Sequence, residues 1–126
     1  MAGTLTISTL SDGTNSTSAT NCIQGSARAW VRFNGTASTI TGSYNVGSLT
    51  KNGTGDYKIN FTNAMSNTNY TVTGSAKTSD NNTAGGNNNS FAPYSFLTGS
   101  VSMLSIDAGS GAVKDSAVVT ASVFSS

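Results

Sequence analysis

The chain has 126 residues, of which 9% are charged and 36% apolar, with a net charge of +1. That length suits one domain with one core, and so weak a charge gives no field able to gather polyanions, which argues against nucleic acid as a partner. Gly, Ser, Thr and Asn stand where Leu, Glu and Lys are usual, yet Thr, Val, Ile, Tyr and Phe are plentiful, so the composition predicts an ordered β-protein with a polar, uncharged surface rather than disorder.

The opening residues, MAGTLTISTL, hold no cationic run and no continuous apolar segment, so no secretory leader is expected. No stretch approaches the roughly 20 apolar residues of a membrane span, and synthesis in a cytoplasm is the expectation. Thr4-Leu5-Thr6-Ile7-Ser8 alternates polar and apolar residues as a half-buried strand does, and Asp12-Gly13 breaks it. Residues 11 to 21 have the composition of a loop or linker. Residues 1–25 are therefore read as a strand and polar linker, either a tether to a larger assembly or a first strand of the sheet, and 26–126 as the β-domain. Cys22 has no cysteine to pair with and, in a chain without His, no base to activate it; a small buried apolar role is expected.

From Ser26 to Phe33 the alternation puts Ala27, Ala29, Val31 and Phe33 on one face and Arg28, Trp30 and Arg32 on the other. The first face suits the core. The second carries the only Trp between two arginines, a triplet that can stack a sugar ring or pack against a partner. Asn34-Gly35 and Asn52-Gly53 supply turn dipeptides favouring positive φ, so residues 27–62 are predicted to form a three-stranded meander. Its later strands run through Tyr44 and Val46 and through Tyr57, Ile59 and Phe61. Tyr70, Val72, Gly74 and Ala76 line one side of a further strand, with Met65 tucked under the preceding loop.

Residues 77–90, KTSDNNTAGGNNNS, form a long polar loop, and such loops in compact domains are commonly functional. Asp80, Asn81, Asn82, Asn87, Asn88 and Asn89 are candidates for hydrogen bonding to a glycan, since amides both donate and accept. A calcium loop starting at Asp80 is disfavoured, because its twelfth position is Phe91 rather than Glu. Phe91-Ala92-Pro93-Tyr94-Ser95-Phe96 reads as an edge strand or an oligomer contact. Val101 to Ile106 makes another strand, Asp107 to Gly111 a turn, and Ala117 to Phe124 a strand closing the sheet. With Lys and Glu so scarce, sheet edges lack their usual guards, which favours an obligate oligomer over a monomer with short or bulged edges.

Several of these residues together carry a resemblance. Ala29-Trp30-Val31, Phe33-Asn34-Gly35-Thr36, Ser43-Tyr44-Asn45-Val46, the block Asn52-Gly53-Thr54-Gly55-Asp56-Tyr57, Asn60-Phe61-Thr62, Ala64-Met65 and Asn69-Tyr70 are similar to a repeated domain of bacteriophage tail fibres and related virion proteins. The likeness is dense from Ser26 to Ala76 and continues more weakly to Val123-Phe124, with Arg28 and Arg32 in place of the commoner Lys and Asn and Ser66 in place of Pro. It implies an antiparallel β-sandwich, jelly-roll-like and homotrimeric. The implied function is that of a virion structural protein, either a short tail fibre or appendage binding a host surface glycan or a decoration on the capsid, with other virion proteins as partners. No cofactor is expected. Nor is catalysis, because five Asp, no Glu and no His leave neither a glycosidase pair nor a nucleophilic triad, and Asp12, Asp56, Asp107 and Asp115 all stand in turn-like contexts where they cap the backbone.

Overall fold

The computed structural model describes residues 2–79 and 88–125. Its N-terminal part departs from the sequence reading. Thr4 to Ile7 are irregular, and the first strand, β1, is Thr9–Ser11, which the Asp12-Gly13 turn joins to β2, Ser16–Ser18, in a separate two-stranded hairpin. What reads as linker is thus part strand and part helix, because α1 (Ala19–Gly25) follows at once. It is nucleated by its cap rather than by an apolar face: the Asn21 amide donates to Ser18 Oγ at 3.1 Å. Cys22 sits on α1 half-buried and free, so it is not the core residue that its chemistry suggested. No residue from Ala2 to Ser26 is fully buried.

The expected antiparallel β-sandwich follows. Its strands are β3 (Ala29–Asn34), β4 (Thr39–Tyr44), β5 (Val46–Gly53), β6 (Asp56–Phe61), β7 (Thr71–Lys77), β8 (Asn88–Leu97), β9 (Ser100–Asp107) and β10 (Val118–Phe124). All eight belong to one sheet, in the order β4-β3-β10-β7-β8-β9-β6-β5. The two layers are the halves of that sheet. Strands β7 and β8 pair only at Ala76 with Asn89 and Lys77 with Asn88; beyond that seam they part, and the sheet folds over on its apolar face. At the opposite margin β4 and β5 are separated by one residue, Asn45, so the sheet nearly closes on itself. The edges that a poorly charged composition leaves unguarded are thereby brought together by the fold.

Alternation places the core. Ala29, Val31 and Phe33 of β3 and Val119, Ala121 and Val123 of β10 are buried in one layer, facing Tyr57 and Ile59 of β6 and Val101 and Met103 of β9 in the other. Phe33 meets Tyr57 edge-on, ring centroids 5.2 Å apart, and Tyr70 is flanked by Phe61 at 6.0 Å and Phe96 at 5.3 Å. Met65 is buried under its loop, as the sequence suggested.

Two expectations change here. The three-stranded meander is two hairpins in different layers, β3-β4 and β5-β6, because Asn45, at φ 54°, breaks the Tyr44–Val46 run. Strand β8 is interior to the sheet order, but from Ser90 onward it pairs only with β9, so Pro93 occupies a locally open flank where no partner needs its missing N–H. The last strand closes the sheet from within, since β10 lies between β3 and β7.

The Asn-Gly dipeptides do mark turns, but the positive φ angles fall on Ser38 (55°) and Gly55 (63°) instead. Gly35 is needed for closeness, since a Cβ there would meet Tyr57 Cζ at 2.6 Å and the Ser116 carbonyl at 2.7 Å.

Candidate functional site

The described aspartates are committed to folding. Asp12 accepts the amides of Thr14 and Asn15, and Asp107 those of Gly109 and Ser110, as turn caps. Asp56 and Asp115 correct the turn-cap reading. Asp56 accepts from the Asn52 side chain and, at 2.6 Å, from Tyr94 OH on β8. Asp115 is a long-range node: it accepts from Lys51 Nζ at 2.6 Å, the Gly55 amide at 2.7 Å and Tyr57 OH at 2.8 Å. The motif block Asn52 to Tyr57 therefore ties the β5-β6 hairpin to the segment leading into β10.

This node makes stability depend on pH. Burial opposes the charge on Asp115, but hydrogen bonds from Lys51, the Gly55 amide and Tyr57 hold its carboxyl below the usual carboxylate value. Backbone amides, first those of Asn15 and Ser110 respectively, lower Asp12 and Asp107 as well. Groups with depressed folded values stabilise the fold above the unfolded value, about pH 4, and that stability is lost as pH falls through the folded values. Tyr57 shifts the other way, pushed well above its ordinary value by burial and then by its bond to Asp115. Its contribution is complete below about pH 10 and is lost as the pH rises further. Thermal melts from pH 2 to 11 are expected to show a plateau with an acid and an alkaline limb; Asp115→Asn should flatten the acid limb, and an unchanged limb would remove Asp115 from it.

The outer face of β4-β3-β10-β7 carries the predicted Arg-Trp-Arg strand. Register sets Tyr44, Trp30, Ser122 and Thr73 in one row and Gly42, Arg32, Thr120 and Ser75 in the next. Trp30 is 43% and Tyr44 59% exposed, an aromatic pair on a flat hydroxyl-bearing sheet. The Trp30 ring lies across Gly42, where a Cβ would stand 3.5 Å from it. Arg32 is exposed; Arg28 is half-buried, with Nε donating to the Ser125 carbonyl at 3.4 Å.

Beside this face is a cleft of ≈ 360 Å³ that the sequence did not reveal, lined by Arg28, Tyr44, Asn45, Asn63, Met65 and Ser66 among others. Asn45 builds it. Its Nδ2 donates to the carbonyls of Arg28 and Asn63, both at 3.1 Å, and its Oδ1 accepts the Asn63 amide at 2.7 Å, which locks the crossing between layers. The only hint in the sequence is an Asn, tolerant of positive φ, inside an otherwise strand-like run.

The loop candidates fare differently. Asp80, Asn81, Asn82 and Asn87 lie outside the described residues, and Asn88 enters β8 opposite Lys77. Asn89 is inside the molecule, 9% exposed, its Nδ2 donating to Ser105 Oγ at 3.1 Å and Ser116 Oγ at 2.8 Å. It leaves the set of surface contacts. Among the described residues no group of three or more His, Cys, Asp or Glu is placed to hold a metal, and no helix is long and apolar enough to cross a membrane. Compared with protein-family models, curated proteins and solved structures, the chain matches none.

Proposed function

We propose that the chain is a structural protein of a bacteriophage virion, a short tail fibre or tail appendage whose β-domain binds a glycan on the host surface. The observation that carries this reading is the exposed Trp30–Tyr44 pair on a rigid sheet face, beside Arg28 and Arg32. Aromatic faces stack on the apolar side of a sugar ring, while neighbouring hydroxyls and guanidinium groups hydrogen-bond its rim. The likeness of residues 26–76 to tail-fibre repeats supports the same reading, and with it a homotrimer assembled among other virion proteins. The N-terminal hairpin and helix serve as the attachment segment: Leu5, Leu10 and Ile23 are each more than half exposed there, apolar surface suited to docking on a larger particle. A capsid decoration would use the same segment.

Purified protein is expected to bind host cells and to compete with phage adsorption. Trp30→Ala should weaken binding by about 2 kcal/mol, roughly 30-fold, the scale of a central aromatic contact. Its melting temperature should hardly change, because the ring is not part of the core. Equal binding by the variant would sink the reading. In the same work, quantified gels of purified virions separate tens of copies, a tail position, from hundreds, a head position.

A further inference from the structure

Resting on that glycan reading, we propose that the cleft beside Trp30 takes a carboxylate-bearing sugar, with Arg28 receiving the carboxylate. Charge is the first argument. Strands β4, β3, β10 and β7 contain no acidic residue, whereas Arg32 and Lys77 lie on them and Arg28 directly precedes β3. The four described aspartates are elsewhere, in the N-terminal hairpin, at the start of β6, at the end of β9 and in the segment before β10. Among the described residues that line the cleft, Arg28 is the sole charged side chain.

Chemistry of the walls is the second. Arg28 is anchored at both backbone ends, its N–H donating to the Val123 carbonyl at 2.8 Å and its C=O accepting from Asn45 at 3.1 Å. Among the described residues its guanidinium makes one bond of 3.4 Å, from Nε to the Ser125 carbonyl, which uses one of five donors. The planar fork of arginine is the geometry that receives a carboxylate with two parallel hydrogen bonds. In the same lining Tyr44 offers exposed apolar surface to a ring, and Asn63 presents a side-chain amide that makes no hydrogen bond within the described residues. A neutral sugar would fill the same walls but leave the cation unanswered.

Size is the third. At ≈ 360 Å³ the cleft stands at the small end of ligand pockets, about 300 Å³ upward, room for one sugar unit. Tyr44 belongs both to the cleft and to the row shared with Trp30, so a chain of sugars seated here would continue onto the aromatic face.

Titration of the intact protein with sodium glucuronate, glucose and acetate, followed by amide and side-chain NMR shifts, tests this. Glucuronate should shift Arg28, Tyr44 and Asn63 saturably, with glucose and acetate each at least about tenfold weaker, the low end of a charge-assisted hydrogen bond. Arg28→Gln should bring glucuronate down to the glucose level, and Arg28→Lys should give an intermediate loss. Equal affinity for glucuronate and glucose would overturn carboxylate recognition while leaving host binding through Trp30 intact, and equal affinity for acetate would make the cleft an anion site rather than a sugar site. Absence of any shift at the cleft in a protein that still binds cells would also overturn it. If Arg28→Gln fails to fold, the comparison of the three ligands on the unaltered protein decides the matter alone.

Discussion

Gly55→Ala is expected to destabilise the domain by about 3 kcal/mol or more, summing the cost of a left-handed backbone for an L-residue with that of forcing an extra carbon into a filled site. Gly55 has φ 63°, and a Cβ would meet the Lys114 backbone N, O and C at 2.6, 2.7 and 2.8 Å. Nothing there is a flexible side-chain end that can swing aside. The turn itself is fixed on both sides, the Gly55 amide donating to Asp115 at 2.7 Å and its carbonyl accepting from Ser105 at 2.8 Å. Gly53→Ala is the control: it lies in the same hairpin, has no positive φ and would meet no atom within 4 Å. Paired urea melts should separate the two variants by most of the predicted difference, and similar midpoints would show that the close approach at Gly55 is not what holds the hairpin.

Asp115→Ala is the second large effect, expected to cost about 2–3 kcal/mol, because one carboxylate answers several donors at once. Without it the Gly55 amide and the hydroxyl of the fully buried Tyr57 lose their acceptor, and Lys51 loses its ion pair. Asp107→Ala, at an exposed turn whose amides water can serve, should cost less than half as much. Equal losses in thermal or chemical denaturation would mean that Asp115 is only another turn residue. Lys51→Met offers a further comparison, since Lys51 Nζ also donates to the Gly35 carbonyl at 3.3 Å, so its removal touches the same junction from the other side.

Much of this architecture can be read from side-chain alternation. Ala29, Val31 and Phe33 face inward while Trp30 and Arg32 face out, as period-two patterning requires, and Tyr57 and Ile59 do likewise on β6. What alternation cannot carry is which strands are neighbours. Tyr44-Asn45-Val46 reads as one strand because its apolar residues keep step, yet the backbone turns at Asn45, and only three hydrogen bonds made by that side chain to distant residues reveal it. The helix α1 was hidden for a different reason: seven residues without an apolar stripe have no periodic signal, and a Ser cap is as common in loops. The site was legible in its outer half, where Arg28-Trp30-Arg32 shows as a strand face. Its inner half draws on Tyr44, Asn63 and Met65 from separate segments, which only the folded chain assembles.

The place of β10 has a consequence for the making of the protein. On the ribosome, residues 118–124 emerge after every other strand described, yet β3 and its hairpin partner are joined to β7 through β10 alone. Until that keystone arrives, two half-built layers wait with their oily faces bare, and such late, distant pairing is slow. The nascent domain therefore leaves its apolar layers unjoined until the last strand has been made.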